Sequence, residues 1–265
     1  NMSVSCSTSK SLVIDASTAN GTGWAVSKTS TTGNGDSARA LIPASNASIE
    51  TPAFWGVKDN SKVNDDGSYR EDTPIIKFNS ANSGALAEGY NSVTLEQDKT
   101  FYYCRLDTFY IKLDAPSSEK VDLKVNTFSI TTGTLDITNS LRLGMRAYYL
   151  AAGANDTATL AGEGVYQAGA EKIYAKAQPE STAKPITNVT EEGNVYTVTE
   201  AAAAPTTVTT FADAVLKENF GGQDIVKVQF LWWYEGQDDD CITANAITSE
   251  EISLSVSFTY SDVNA

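Results

Sequence analysis

Short runs along this chain alternate apolar and polar residues with the period of two expected of half-buried β-strands. Met2, Val4 and Cys6 alternate with Ser3 and Ser5, and Ser11 to Ala16 follows, which predicts one or two short strands over residues 1–16. Val121, Leu123 and Val125 alternate with Asp122 and Lys124, and Leu141, Leu143 and Met145 with Arg142, Gly144 and Arg146. In the closing run Ile252, Leu254, Val256, Phe258 and Tyr260 face one way, and Ser253, Ser255, Ser257 and Thr259 the other. Two stretches break the alternation by being apolar on both faces: Phe101 to Leu113 and Ile225 to Tyr234. Their aromatic and β-branched content predicts central strands covered on both sides. A bulge is predicted near Arg105–Asp107, where the first changes character.

Turn formers dominate from Gly21 to Gly67, where Asp65-Asp66-Gly67 is a strong turn signal. This segment reads as a loop-rich excursion with a few edge strands, and its short apolar pieces include Gly23–Val26 and Phe54–Val57. The core resumes at Pro74–Phe78. Residues 151–205 form a second polar insertion, with strand candidates at 172–175 and 194–199 and a loop at Ala201–Pro205. One helix is predicted, over 210–219. Thr210 is its N-cap with Asp213 three residues on, Phe211, Ala212, Val215 and Leu216 share a face, and Gly221-Gly222 ends it. Strands separated by turns and irregular insertions predict an all-β antiparallel β-sandwich. The domain reading is an N-terminal strand segment, 1–16, followed by one domain over 17–265.

Composition narrows the function. Nineteen Lys and Arg against 33 Asp and Glu give a net charge of -14, so a nucleic-acid partner, which needs a basic footprint, is not expected. Histidine is absent, which excludes His-dependent triads, Cys-His pairs and His-ligated zinc sites. No apolar run approaches the roughly 20 residues of a membrane helix. Ser/Thr/Gly/Asn-rich stretches and a start at Asn1 read as a mature exported chain whose signal peptide has been removed. Three cysteines, Cys6, Cys104 and Cys241, allow at most one intrachain disulfide.

Four candidate sites follow. The N-terminal strand can pair with its own sheet or with a neighbour's, burying Met2, Val4, Leu12 and Ile14 in a groove. In the second case Cys6 can meet Cys104 or Cys241 of another copy. Leu254, Val256 and Phe258 of the closing strand are the candidate walls of that groove. Glu235, Asp238, Asp239 and Asp240 crowd one turn, and Asp59, Asn60, Asn64, Asp65 and Asp66 form a second oxygen-rich loop. Both are calcium candidates, though neither has EF-hand spacing, and a solvated acidic turn is the competing reading. Trp232, Trp233 and Tyr234 read as core, with Trp232 and Tyr234 on one face and Trp233 on the other, against a sugar-stacking platform. A carboxylate-pair glycosidase has no identifying spacing.

Three stretches together resemble the TasA/camelysin type of exported protein, fibre subunits of bacterial biofilm matrix with archaeal bundling pili as distant relatives. They are FYYCRLDTFYIKLDA with the strand after it, NSLRLGMRAYYL, and VKVQFLWWYEGQDDDC followed by ISLSVSFTY. The resemblance covers residues 74–150 and 211–260, and its most specific part is the run from Trp233 to Cys241. It implies a jelly-roll subunit of an extracellular filament, not an enzyme, that polymerises with copies of itself by donor-strand exchange of the N-terminal strand. Matrix polysaccharide or other fibre proteins would be further partners. The two insertions and the start after Asn1 depart from the smaller members of that group. The alternative expectation is a monomeric surface adhesin or carbohydrate-binding module.

Overall fold

The computed structural model describes residues 2–6, 11–15, 23–30, 41–57, 75–78, 86, 89–94, 100–131, 136–151, 164–176, 183–241 and 252–263. Two sheets face each other. The first has the order β15-β9-β17-β1-β3, where β1 is Met2–Cys6, β3 Ser27–Ser30, β9 Lys120–Thr131, β15 Val215–Gly221 and β17 Ser253–Asp262. The second has the order β11-β10-β16-β8-β2, with β2 Ser11–Asp15, β8 Thr100–Asp114, β10 Leu141–Leu150, β11 Val165–Tyr166 and β16 Ile225–Tyr234. Two more strands join it: β12 (Lys172–Ala175) pairs with β10, and β7 (Gly89–Thr94) with β8. The fold is an all-β sandwich whose strand pairs, among the described residues, are antiparallel except where β1 runs parallel to β17.

Period-two alternation produces the core between the sheets. Leu141, Leu143, Met145 and Ala147 of β10, with Val226, Val228, Phe230 and Trp232 of β16, meet Val121, Leu123 and Val125 of β9 and Leu254, Val256 and Phe258 of β17. The strands that read as apolar on both faces are central, β8 and β16, and their second faces are covered too. Tyr103, Cys104 and Leu106 of β8 and Leu231 and Trp233 of β16 pack under Ala44, Ile49, Phe54 and Phe78. That cover comes from the first insertion together with residues 75–78, which were expected in the core: β4 (Ser45–Asn46), β5 (Phe54–Val57) and β6 (Ile75–Lys77) form a small separate sheet. Gly144 permits this layer to approach, since a Cβ there would lie 2.6 Å from Ile49 Cγ2. A row of hydrogen bonds bounds the cluster: Arg146 Nε donates to Gln229 Oε1 (2.8 Å), and Gln229 Nε2 to Thr108 Oγ1 (3.0 Å). The second insertion supplies β11, β12 and a protruding hairpin of β13 (Ile186–Glu192) and β14 (Val195–Glu200).

Three expectations need correction. Residues 210–219 are not helical. Asp213 and Asn219 hold positive φ of 67° and 50°, which no α-helix accommodates. Thr210 Oγ1 accepts from Ala212 N (3.1 Å), closing a local turn where a helix cap was expected. Residues 215–221 then form β15, which pairs with β9 through two register shifts. The apolar residues that looked like one helix face are instead Phe211 and Leu216 in the core, with Val215 42% exposed. No α-helix occurs among the described residues. The bulge expected at Arg105–Asp107 is absent from the β8–β16 ladder, which is continuous from Arg105 to Lys112. Arg105 and Asp107 are instead joined by a two-pronged ion pair of 2.9 and 3.0 Å. The β8 irregularity lies on the other edge, where Asn91 pairs with Cys104 but Ser92 with Tyr102, leaving Tyr103 as the extra residue. Finally, the Ser/Thr face of β17 is not uniformly wet. Ser257 is buried where the extra residue Asn126 shifts the register, its hydroxyl accepting from Thr127 N (3.1 Å) and Asn126 Nδ2 (3.3 Å) on the side away from Val256 and Phe258.

Candidate assembly site

Strand β1 occupies a slot with two walls. On one side it pairs in parallel with β17, Met2 opposite Leu254, Val4 opposite Val256 and Cys6 opposite Phe258. On the other it pairs antiparallel with β3 from Met2↔Ser30 to Ser5↔Ser27. The alternation read from the sequence sets which side points in: Met2 and Val4 are 1% exposed and belong to the main core, while Ser3 is exposed. Full burial of two such side chains contributes about 3–6 kcal/mol before the entropy of ordering the strand is subtracted. The backbone contribution is generic, because ladder bonds on both sides depend on no side chain. Within one chain the strand is therefore seated in cis, and the candidate donor and groove residues meet one to one.

Leu12 and Ile14 do not belong to this slot. They sit on β2 in the opposite sheet, paired with Leu113 and Ile111 of β8. Both are buried, and Ile14 also exchanges backbone hydrogen bonds with Ala25 (2.7 and 2.9 Å). β1 and β2 thus belong to opposite sheets, although only four residues of sequence separate them. Neither β17 nor β3 carries a cysteine. Cys104 and Cys241 are buried, and burial pushes the pKa of the Cys241 thiol up to about 12.

The acidic turn after β16 is not a solvated loop. Glu235 is 2% exposed and Asp238 6%. Arg142 Nη2 donates to Asp238 Oδ2 at 2.6 Å, with both side chains almost wholly buried. Arg142 Nη1 donates to the carbonyls of Asn139 (2.8 Å) and Leu141 (3.2 Å). Glu235 accepts from Trp233 Nε1 (3.1 Å), Asn46 N (3.3 Å), Gln237 N (3.3 Å) and the Ser45 hydroxyl. Burial raises its pKa, and those four donors pull it back only in part. Asp240 accepts from Asn139 Nδ2 (3.0 Å), while Asp239 is exposed. Among the described residues no group of three or more acidic or thiol side chains is placed to hold a metal ion. The second oxygen-rich loop, with Asp65 and Asp66, lies outside the described residues.

Sequence reasoning missed what this turn joins. Ser45 and Asn46 belong to the first insertion, and Ser45 Oγ accepts from Ile186 N (2.8 Å) of the second. Ala44 and Glu235 form a parallel bridge, with Ala44 N donating to Tyr234 O (3.0 Å) and Gly236 N to Ala44 O (3.1 Å). One buried carboxylate is thus the junction of both insertions with the sandwich. A buried acid in a dense acidic turn is not distinguishable from a solvated one by spacing, and only its distant donors reveal the role. The aromatic run behaves as read: Trp232 faces the main core and Trp233 the outer cluster, both buried.

The architecture defines the chain as an all-β sandwich with an internally seated N-terminal strand. Comparison with family models, curated proteins and solved structures finds no match to this chain. No helix among the described residues is long and apolar enough to cross a membrane.

Proposed function

We propose that this chain is a structural subunit of an extracellular filament or biofilm matrix fibre, in which copies assemble by exchanging β1. The observation that carries the reading is the two-walled slot. Met2, Val4 and Cys6 stand in register with Leu254, Val256 and Phe258, and β3 closes the far side. A strand held by ladder bonds and two apolar side chains can be replaced by the same strand from another copy with every contact reproduced. Such a contact is heterologous, and its repetition extends a filament where the rotation between copies does not close a ring. The resemblance in the β8, β10 and β16 stretches supports the same reading, as does the exported character of the composition. Export, self-association and the absence of catalysis are parts of this proposal. The alternative, a monomeric surface adhesin or carbohydrate-binding module, keeps β1 in cis. The buried state of Trp232 and Trp233 removes them as a sugar platform for it.

Deleting residues 1–8 and imaging the product by negative stain tests the proposal. Filaments are expected from the full chain and monomers from the truncated one. Filaments that persist unchanged without residues 1–8 would exclude β1 as the linker, and a full chain that stays monomeric while binding glycans would favour the module.

A further inference from the structure

A small cavity lies where the two insertions meet the sheet, bordered by Asn46, Arg142, Pro185, Pro205, Trp233 and Glu235. It leaves about 10 Å³ for the centre of a water-sized molecule, which is room for one water. Asn46 is 1% exposed. Its Oδ1 accepts from Ala53 N (3.2 Å) and Ser48 N (3.4 Å). These two bonds fix the amide's orientation, because the flipped form would set its NH2 against two N–H donors. Nδ2 is thereby directed to the other side, where it has no hydrogen-bond partner among the described residues. A buried donor left in that condition costs about 1–3 kcal/mol, and native structures rarely leave one unpaired.

The chemistry of the lining selects the occupant. It must accept from Asn46 Nδ2, and toward the Glu235 carboxylate it must donate. An ammonium ion cannot accept and a chloride ion cannot donate, while a larger polar molecule does not fit. We infer that the cavity holds one ordered water molecule, which accepts from Asn46 Nδ2 and donates to Glu235. Asn46 already gives its backbone N–H to Glu235 Oε2, so the water adds a second link between the same two residues. The seam between first insertion, second insertion and sheet is then closed on its polar side by solvent built into the fold. This inference is independent of how β1 assembles.

Two measurements on the full chain test it. A high-resolution crystal structure should show a single solvent peak about 2.7–3.2 Å from both Asn46 Nδ2 and a Glu235 carboxylate oxygen. In solution, the Asn46 side-chain amide protons should give cross-relaxation to water of the sign that marks long residence, and Asn46→Ala should remove that signal. Both results are required. An empty site, a protein side chain filling it, a flipped amide, or crystal density without the solution contact would each overturn the inference.

Discussion

The slot of β1 and the junction at Glu235 both bring distant parts of the chain together, but by opposite physical means. In the slot, backbone ladders and the side chains of Met2 and Val4 hold the strand, with no charged pair across it among the described residues. At the junction, Arg142, Asp238 and Glu235 are buried and each is matched to particular partners. Generic contacts can be remade by any identical strand at a similar free energy. Matched buried charges cannot, because any rearrangement strands a charge in a low-dielectric interior. The molecule thus has one region suited to exchange and one that locks the insertions in place.

The largest expected effect comes from breaking the fixed region. Asp238→Ala leaves the Arg142 guanidinium buried without its carboxylate, which costs about 3–5 kcal/mol. At roughly 2–4 °C per kcal/mol for a chain near this size, thermal unfolding should occur about 10 °C lower. A shift under about 2 °C would mean the pair is dispensable.

Breaking the transferable region should cost less stability and more assembly. Val4→Asp puts a carboxylate where Val256 and the main core stand, so β1 leaves its slot in cis and cannot enter another. The β-sheet circular dichroism should persist with a smaller fall in the melting midpoint than Asp238→Ala gives, while filaments vanish from negative-stain images. Filaments of normal length from this variant would refute the role of β1.

The smallest effect is a pH dependence confined to the junction. Burial raises the Glu235 pKa in the folded chain. A raised acid favours the folded state below the ordinary carboxylate pKa, and this contribution is lost as pH rises through the raised value. Arg142, Asp238 and Cys241 are its charged and titratable neighbours. Glu235→Gln removes the titrating group, so the stability of the parent chain relative to the variant should decline as pH increases from about 4 to about 8. Urea midpoints across that range measure it, and parallel curves for the two proteins would contradict the assignment.

The strands legible beforehand were those whose environment is uniform along their length. β12 and β16 begin and end where the pattern put them, and β8 and β17 differ by one or two residues at their ends. The helix expected at 210–219 failed because Phe211, Val215 and Leu216 satisfy a helical spacing as readily as a strand interrupted by register shifts. Local spacing cannot register the backbone bonds from Asp213 N to Val125 O (3.0 Å) and from Val125 N to Ala214 O (2.9 Å) that decide between them. The groove was legible for the same reason as the strands, since alternation marks Met2 and Val4 with Leu254 and Val256 as inward-facing. Their pairing with each other, in parallel and with β3 beyond, was not.

By itself, then, the sequence determined which residues face inward, the all-β class, and the absence of histidine chemistry, because side-chain polarity and period act locally. The tertiary structure alone decided that Leu12 and Ile14 leave the donor segment for the opposite sheet, that Ser257 is covered, and that an acidic turn becomes a buried junction. Each of those outcomes depends on a partner far away in the chain: β8 for Leu12, the extra residue Asn126 for Ser257, and Arg142, Asn46 and Ser45 for the carboxylates. Burial disfavours an ionised carboxylate and makes it depend on distant donors, and no count of neighbouring residues along the chain reports burial.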